Sequence, residues 1–301
     1  MPSGIITKGI GGFYYVSSQD VIYECKARGI FRKNDLSPLI GDRVVFSIID
    51  DERQKGSLDQ ILERSSELVR PAVANVDQLL AVVSAKSPEP DFLLLDKLLI
   101  TAEKKGIRAV ICINKIDLDI DNERANIIDA YTKAGYSVLE TCLKEESGSE
   151  KIKEVLKGRI TAFAGQSGVG KSTLLNRLMK MSVMKTGAIS DKIERGKHTT
   201  RHAELIKLET DSFVVDTPGF SSFELSGIQF GELQYLLPEF ENYLGKCRFS
   251  DCSHINQPDC SVKQAVEAGA ISESRYLRFI ELYDILKHED DNKYKKNRRE
   301  G

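Results

Sequence analysis

The chain has 301 residues, of which 41% are hydrophobic and 29% charged, with a formal net charge of -2. That length suits two or three domains with buried cores, and the near-neutral balance gives no global sign of a polyanion partner. Residues 1–8 lack the basic stretch and apolar core of a signal peptide, and no apolar run approaches the roughly 20 residues that cross a bilayer. The expectation is a cytoplasmic protein with no membrane role. Its six cysteines then sit in a reducing compartment, where metal-ligand or core roles are favoured over disulfides.

Residues 1–71 read as short β segments at 11–16, 21–25 and 43–49, punctuated by Gly, Asp and Asn. Such spacing predicts a small β-barrel of the oligonucleotide-binding (OB) type. Lys26, Arg28, Arg32 and Lys33 cluster with Phe31 and no acid between them, which suits phosphate contacts plus stacking. The same region holds as many acids as bases, so a solvated loop explains the cluster equally well.

Residues 72–222 alternate strands and helices: strands at 79–83, 107–113, 136–139, 160–164 and 212–215, with a helix over 92–104. That alternation marks an α/β domain with a parallel sheet and crossover helices. The strand at 160–164 runs into Gly165-Gln166-Ser167-Gly168-Val169-Gly170-Lys171-Ser172-Thr173, and a helix is expected over 171–179. Glycines there let backbone N–H groups curl around phosphates at a helix N-terminus, where the dipole favours anions. Lys171 is expected to reach the β- and γ-phosphates and Ser172 to ligate Mg2+.

Asn114-Lys115-Ile116-Asp117 lies just past the strand 107–113, at the sheet edge where open α/β folds place ligand contacts. The Asp117 carboxylate can accept two hydrogen bonds from guanine, a donor pattern that adenine lacks. Asn114 and Lys115 are expected to brace base and phosphate loop. After the strand 212–215 comes Asp216-Thr217-Pro218-Gly219, in which Asp216 would hold Mg2+ through water and the Gly219 N–H would sense the γ-phosphate. Gly196-Lys197-His198-Thr199-Thr200 offers a switch threonine without saying which, and Thr141-Cys142 falls where GTPases carry a loop against the base.

The order of these motifs is inverted: the base-reading motif precedes the phosphate loop. A parallel sheet tolerates such a circular permutation, because joining the old termini and cutting elsewhere keeps every strand neighbour. Phe220 stands where small GTPases place a water-orienting glutamine, so intrinsic hydrolysis should be slow and need help. His198 is a candidate catalytic helper, with a solvent-facing switch residue as the equal alternative.

From 223 to 301 the chain is polar and helical, interrupted by Cys247, Cys252, His254 and Cys260. Three thiolates and an imidazole satisfy a tetrahedral zinc with no open position, hence a structural site; buried reduced cysteines are the alternative. The segment around them is too poor in aliphatics to fold on its own core. Cys25, Cys112 and Cys142 read as core residues.

Together these residues resemble the small ribosomal subunit biogenesis GTPase family of the RsgA type, over nearly the whole chain. The resemblance is carried by Arg28-Gly29-Ile30-Phe31-Arg32, Gly41-Asp42-Arg43-Val44, Leu68-Val69-Arg70-Pro71, the permuted order, the His198 and Asp216 motifs, and Asp251-Cys252-Ser253-His254. Arg201 departs from the Ser or Thr common at that position. The resemblance implies an OB domain (1–71), a permuted GTPase domain (72–222) and a helical zinc domain (223–301). It also implies action on the 30S subunit and its 16S rRNA late in maturation, with hydrolysis of GTP to GDP stimulated by the subunit. A monomer is expected, since no heptad or apolar oligomer face stands out. Two rivals remain: a nucleotide-gated binding protein for another RNA or protein, and a metabolic P-loop kinase, against which Asn114–Asp117 argues.

Overall fold

The computed structural model describes residues 1–29, 31, 37–69, 72–142, 146–186, 203–209, 211–216, 225 and 227–300. Strands β1 (Ser3–Ile10), β2 (Phe13–Ser18), β3 (Val21–Ala27), β4 (Arg43–Asp50) and β5 (Lys55–Ile61) close a barrel in the order β1-β2-β3-β5-β4. All pairings are antiparallel except β3 with β5. Alternation along β4 sends Val44 and Phe46 inward to meet Ile6, Val16, Cys25 and Leu58, all fully buried. Gly11 and Gly12, read from sequence as the start of a strand, form the β1–β2 turn instead. Both have positive φ (59° and 84°), which a two-residue hairpin turn of right-handed strands requires. Phe31 lies in the barrel core at 6% exposure, so it offers no face for stacking; Arg32 and Lys33 lie outside the described residues.

A short hairpin, β6 (Glu67–Val69) and β7 (Ala72–Ala74), links barrel to sheet. At this seam Ile5 and Ile40 pack against the sheet's core, and a buried carboxylate is satisfied. Fully buried Asp42 accepts from Arg64 Nε (2.7 Å) and Nη2 (2.9 Å) and from the Leu39 N–H (2.7 Å). Removing Arg64 would therefore strand a buried charge.

The central sheet comprises β8 (Gln78–Ser84), β9 (Arg108–Asn114), β10 (Ser137–Thr141), β11 (Ile160–Ala164), β12 (Glu204–Glu209) and β13 (Ser212–Asp216) in the order β10-β9-β8-β11-β13-β12. All neighbours are parallel except β12 with β13. β8 and β11 are buried at every position, as expected of strands covered on both faces. Helices α1 (Phe92–Lys104), α2 (Arg124–Lys133), α3 (Glu146–Leu156) and α4 (Lys171–Thr186) accompany it. Asp91 caps α1 by accepting from the Leu94 N–H at 2.8 Å. The barrel meets the sheet at its β12 edge, where Lys8 pairs with Glu204 (3.5 Å) and Lys207 with Asp20 (2.5 Å).

The C-terminal region holds 3-10 segments at Phe230–Leu236 and Pro238–Phe240, then α5 (Ser261–Glu267) and α6 (Glu273–Glu300). Its core of Leu233, Phe240, Phe279 and Leu282 also takes in Ile100 from α1, so this region packs directly on that helix. Phe240 and Phe279 meet edge to face, with ring centroids 4.9 Å apart. No helix among the described residues is long and apolar enough to cross a membrane.

Candidate nucleotide site and metal centre

Parallel register brings the motif-bearing strand ends to one edge. Asn114 at the end of β9 stands opposite Ser84 of β8 and Thr141 of β10, and Ala164 of β11 follows the same edge. Residues 165–170 leave β11 there and α4 begins at Lys171. Gly165 has φ +138°, and a Cβ on it would lie 2.0 Å from the Val82 carbonyl oxygen. Only glycine lets the loop pass so close to β8. Lys171 Nζ folds over the loop and donates to the carbonyls of Gly165 (2.6 Å) and Gln166 (2.7 Å). Burial pulls its pKa below the ordinary lysine value. Ser172 and Thr173 are exposed, whereas the Val169 side chain is buried in the sheet core.

The Asn114–Asp117 motif is tied to this loop across the chain. Asn114 is 1% exposed, and its Nδ2 donates to the Val169 carbonyl at 2.8 Å. Lys115, in the left-handed conformation (φ +61°), donates to the carbonyls of Gly168 (2.8 Å) and Ser87 (2.6 Å). Ile116 packs against the sheet core, and Asp117 is exposed at the edge. The buried Cys142 thiol donates to Asp117 Oδ1 at 3.3 Å. Reading Cys142 as a core residue missed this contact; the register that sets Thr141 beside Asn114 is what produces it. Cys25 and Cys112 are core thiols, pushed up by burial to about 11 and about 12, and are therefore inert.

Asp216 ends β13, whose Val215 pairs with Ala162 of β11, so its backbone closes the same edge. His198 with the rest of 196–200, Arg201, Thr217, Gly219 and Phe220 lie outside the described residues.

Cys247, Cys252, His254 and Cys260 converge, their donor atoms all within 4.8 Å of one another. Cys247 and Cys260 sulfurs are 3.8 Å apart, and His254 Nδ1 is 3.5 and 3.4 Å from them. Tetrahedral bonds of about 2.3 Å to sulfur and about 2.0 Å to nitrogen give about 3.8 Å between sulfurs and about 3.5 Å from sulfur to nitrogen. The other ring nitrogen, Nε2, lies 2.9 Å from Gln234 Oε1. That is the outer hydrogen bond that fixes a metal-ligating imidazole. The four residues fit a tetrahedral metal ion.

Family models described as the RsgA N-terminal domain and the RsgA GTPase match residues 3–56 and 61–226. The curated protein named small ribosomal subunit biogenesis GTPase RsgA from Ruminiclostridium cellulolyticum is 57% identical over 289 residues, covering 95% of this chain and 94% of that protein. Its namesake from Alkaliphilus metalliredigens is 47% identical, covering 95% and 98%. The crystal structure of YjeQ from Thermotoga maritima superposes with a TM-score of 0.81 at 38% identity, covering 95% of this chain and 98% of that one. YloQ, described as a circularly permuted GTPase, gives 0.81 and 38%, with 96% of each chain covered.

An OB barrel, a phosphate loop on a central strand, and a base motif that precedes it in sequence define a circularly permuted P-loop GTPase. GTP is what such a protein hydrolyses. The chain belongs to the RsgA GTPase family.

Proposed function

We propose that this protein binds the 30S ribosomal subunit through its 16S rRNA, assists late maturation, and hydrolyses GTP under stimulation by that subunit. The likeness to proteins named for small-subunit biogenesis, over 95% of the chain, is the observation that carries the reading. The site chemistry agrees with it: Asn114 and Lys115 lock a guanine-type motif to the phosphate loop. In this reading Gly165–Thr173 cradles the phosphates, Lys171 reaches the β- and γ-oxygens, and Asp117 reads the base, with Cys142 steadying its carboxylate. Mg2+ held by Ser172, and by Asp216 through water, would neutralise charge on the β- and γ-phosphates. Gly219 senses the γ-phosphate, and His198 supplies help that Phe220 cannot. The domains are 1–71, 72–222 and 223–301, in a cytoplasmic monomer. Sedimentation with 30S subunits tests the binding: tight association with a non-hydrolysable GTP analogue and weaker association with GDP are expected. No association in either state contradicts it.

The base assignment predicts altered preference as well as loss. Asp117→Asn replaces a double acceptor with one acceptor and one donor, which suits xanthine's extra carbonyl. Mispairing guanine costs on the order of 1–3 kcal/mol, so competition binding should show XTP gaining about tenfold or more on GTP. Unchanged preference would remove Asp117 from the base site.

The metal is proposed to be a structural zinc. Purified, reduced protein should carry close to one zinc per chain. Cys252→Ser should lose it and loosen the C-terminal region while nucleotide still binds, because the sheet has its own core. Metal analysis that finds no zinc contradicts the assignment.

A further inference from the structure

The barrel grips the GTPase sheet beside the chain ends that lead to its two switch motifs. Ile5 of β1 and Ala203 both pack against the core that contains Leu205 of β12. Lys8 of β1 pairs with Glu204 at 3.5 Å, and Asp20, in the β2–β3 turn, accepts from Lys207 at 2.5 Å. Two anchors three residues apart on one strand, about 10 Å, fix its direction as well as its position. The Lys8 and Glu204 side chains are 27% and 23% exposed, so salt screens their attraction less than that of a free surface pair.

Glu204 begins β12, four residues after Thr200 closes the Gly196–Thr200 motif. Its register partner across the antiparallel pair is Asp216, the last residue of β13. The register of β13 with β11 runs from Phe213 to Val215, so among the described residues the ladder neighbour of Asp216 is Glu204. Both motifs read as serving the γ-phosphate and Mg2+ therefore join the sheet at the end of the β12–β13 hairpin that Lys8 holds. A paired hairpin moves as a unit, and a packed interface shifts between discrete arrangements instead of deforming continuously. We infer that Lys8 is a positioning residue for GTP hydrolysis: through Glu204 it sets the backbone of Asp216, and subunit engagement of the barrel reaches the nucleotide by this route. The inference rests on the ribosomal reading above and adds to it the path of stimulation.

The test is a charge-reversal cycle in the full-length chain: Lys8→Glu, Glu204→Lys and the two together. GTP turnover at saturating 30S and 30S binding with a non-hydrolysable GTP analogue are both measured. Each single change is expected to lower stimulated turnover about fivefold or more, the low end of an allosteric coupling. The double change is expected to recover most of it, because the pair is restored with its charges exchanged. Lys8→Glu is expected to bind 30S as the unaltered chain does and to keep its turnover without subunits, which reports an intact fold. Full stimulation in Lys8→Glu, no recovery in the double change, or a loss of 30S affinity or of unstimulated turnover from Lys8→Glu overturns the inference and leaves the ribosomal reading standing. An unaltered chain that 30S does not stimulate overturns both.

Discussion

Replacing Lys171 by alanine is expected to lower GTP turnover by at least about a hundredfold, the usual cost of one preorganised charge-stabilising donor, with the fold intact. Among the described residues the Nζ bonds two carbonyls of its own loop, so truncation removes no core packing and leaves none of their buried charges unpaired. The loop is instead held by Asn114, Lys115 and the close passage of Gly165 past Val82, all of which survive the change. Turnover measured at saturating GTP separates lost chemistry from lost affinity. Wild-type turnover in this variant would remove the phosphate loop from the mechanism.

The second large effect concerns stability. Arg275, 2% exposed, donates to Asp96 of α1 at 2.6 Å and to Glu239 at 2.5 Å, and lies over the Tyr131 ring at 4.8 Å. Burial disfavours its charge, yet Asp96 and Glu239 outweigh that and hold its pKa above the usual arginine value. Arg278 and the Tyr131 hydroxyl bond the same Asp96. Arg275→Ala therefore leaves two carboxylates buried beside a void, at an expected cost of about 3–5 kcal/mol. Urea unfolding should show this loss, and limited proteolysis should show release of α6 from α1. Replacing Arg275 and Glu239 together by neutral residues of like shape should cost less, since desolvated charge and not volume is the main penalty and Asp96 keeps Arg278 as its partner. A loss below about 1 kcal/mol for Arg275→Ala, within the usual range of surface changes and exposed pairs, would mean the cluster does not lock the C-terminal region to the GTPase domain.

These two cases mark what the sequence made legible. The nucleotide motifs could be read because each is a contiguous run at a strand end, and the Cys/His cluster because its members span only residues 247–260. The strand runs 79–83 and 160–164 stood out because strands buried on both faces are continuously apolar. β5, with the polar sequence Lys-Gly-Ser-Leu-Asp-Gln-Ile, gave no such signal. It is a strand because β3 and β4 pair with it on both sides, a tertiary cause that no local window contains. α4 continues past the expected 179 to Thr186, since no proline or glycine interrupts it. The Arg275 cluster joins positions 179 residues apart, and nothing in either neighbourhood announces the other. The Phe31 reading failed for a related reason: an aromatic among basic residues suits stacking and a barrel core alike, and only the barrel's closure decides.

The central claim is that this GTPase is switched on by the small subunit. GTP turnover of the intact chain, measured alone and with 30S subunits, 50S subunits or free 16S rRNA, tests it most directly. The account predicts slow hydrolysis alone, strong acceleration by 30S, and little by 50S or free rRNA. Equal turnover with and without 30S, or equal acceleration by all three, would contradict it.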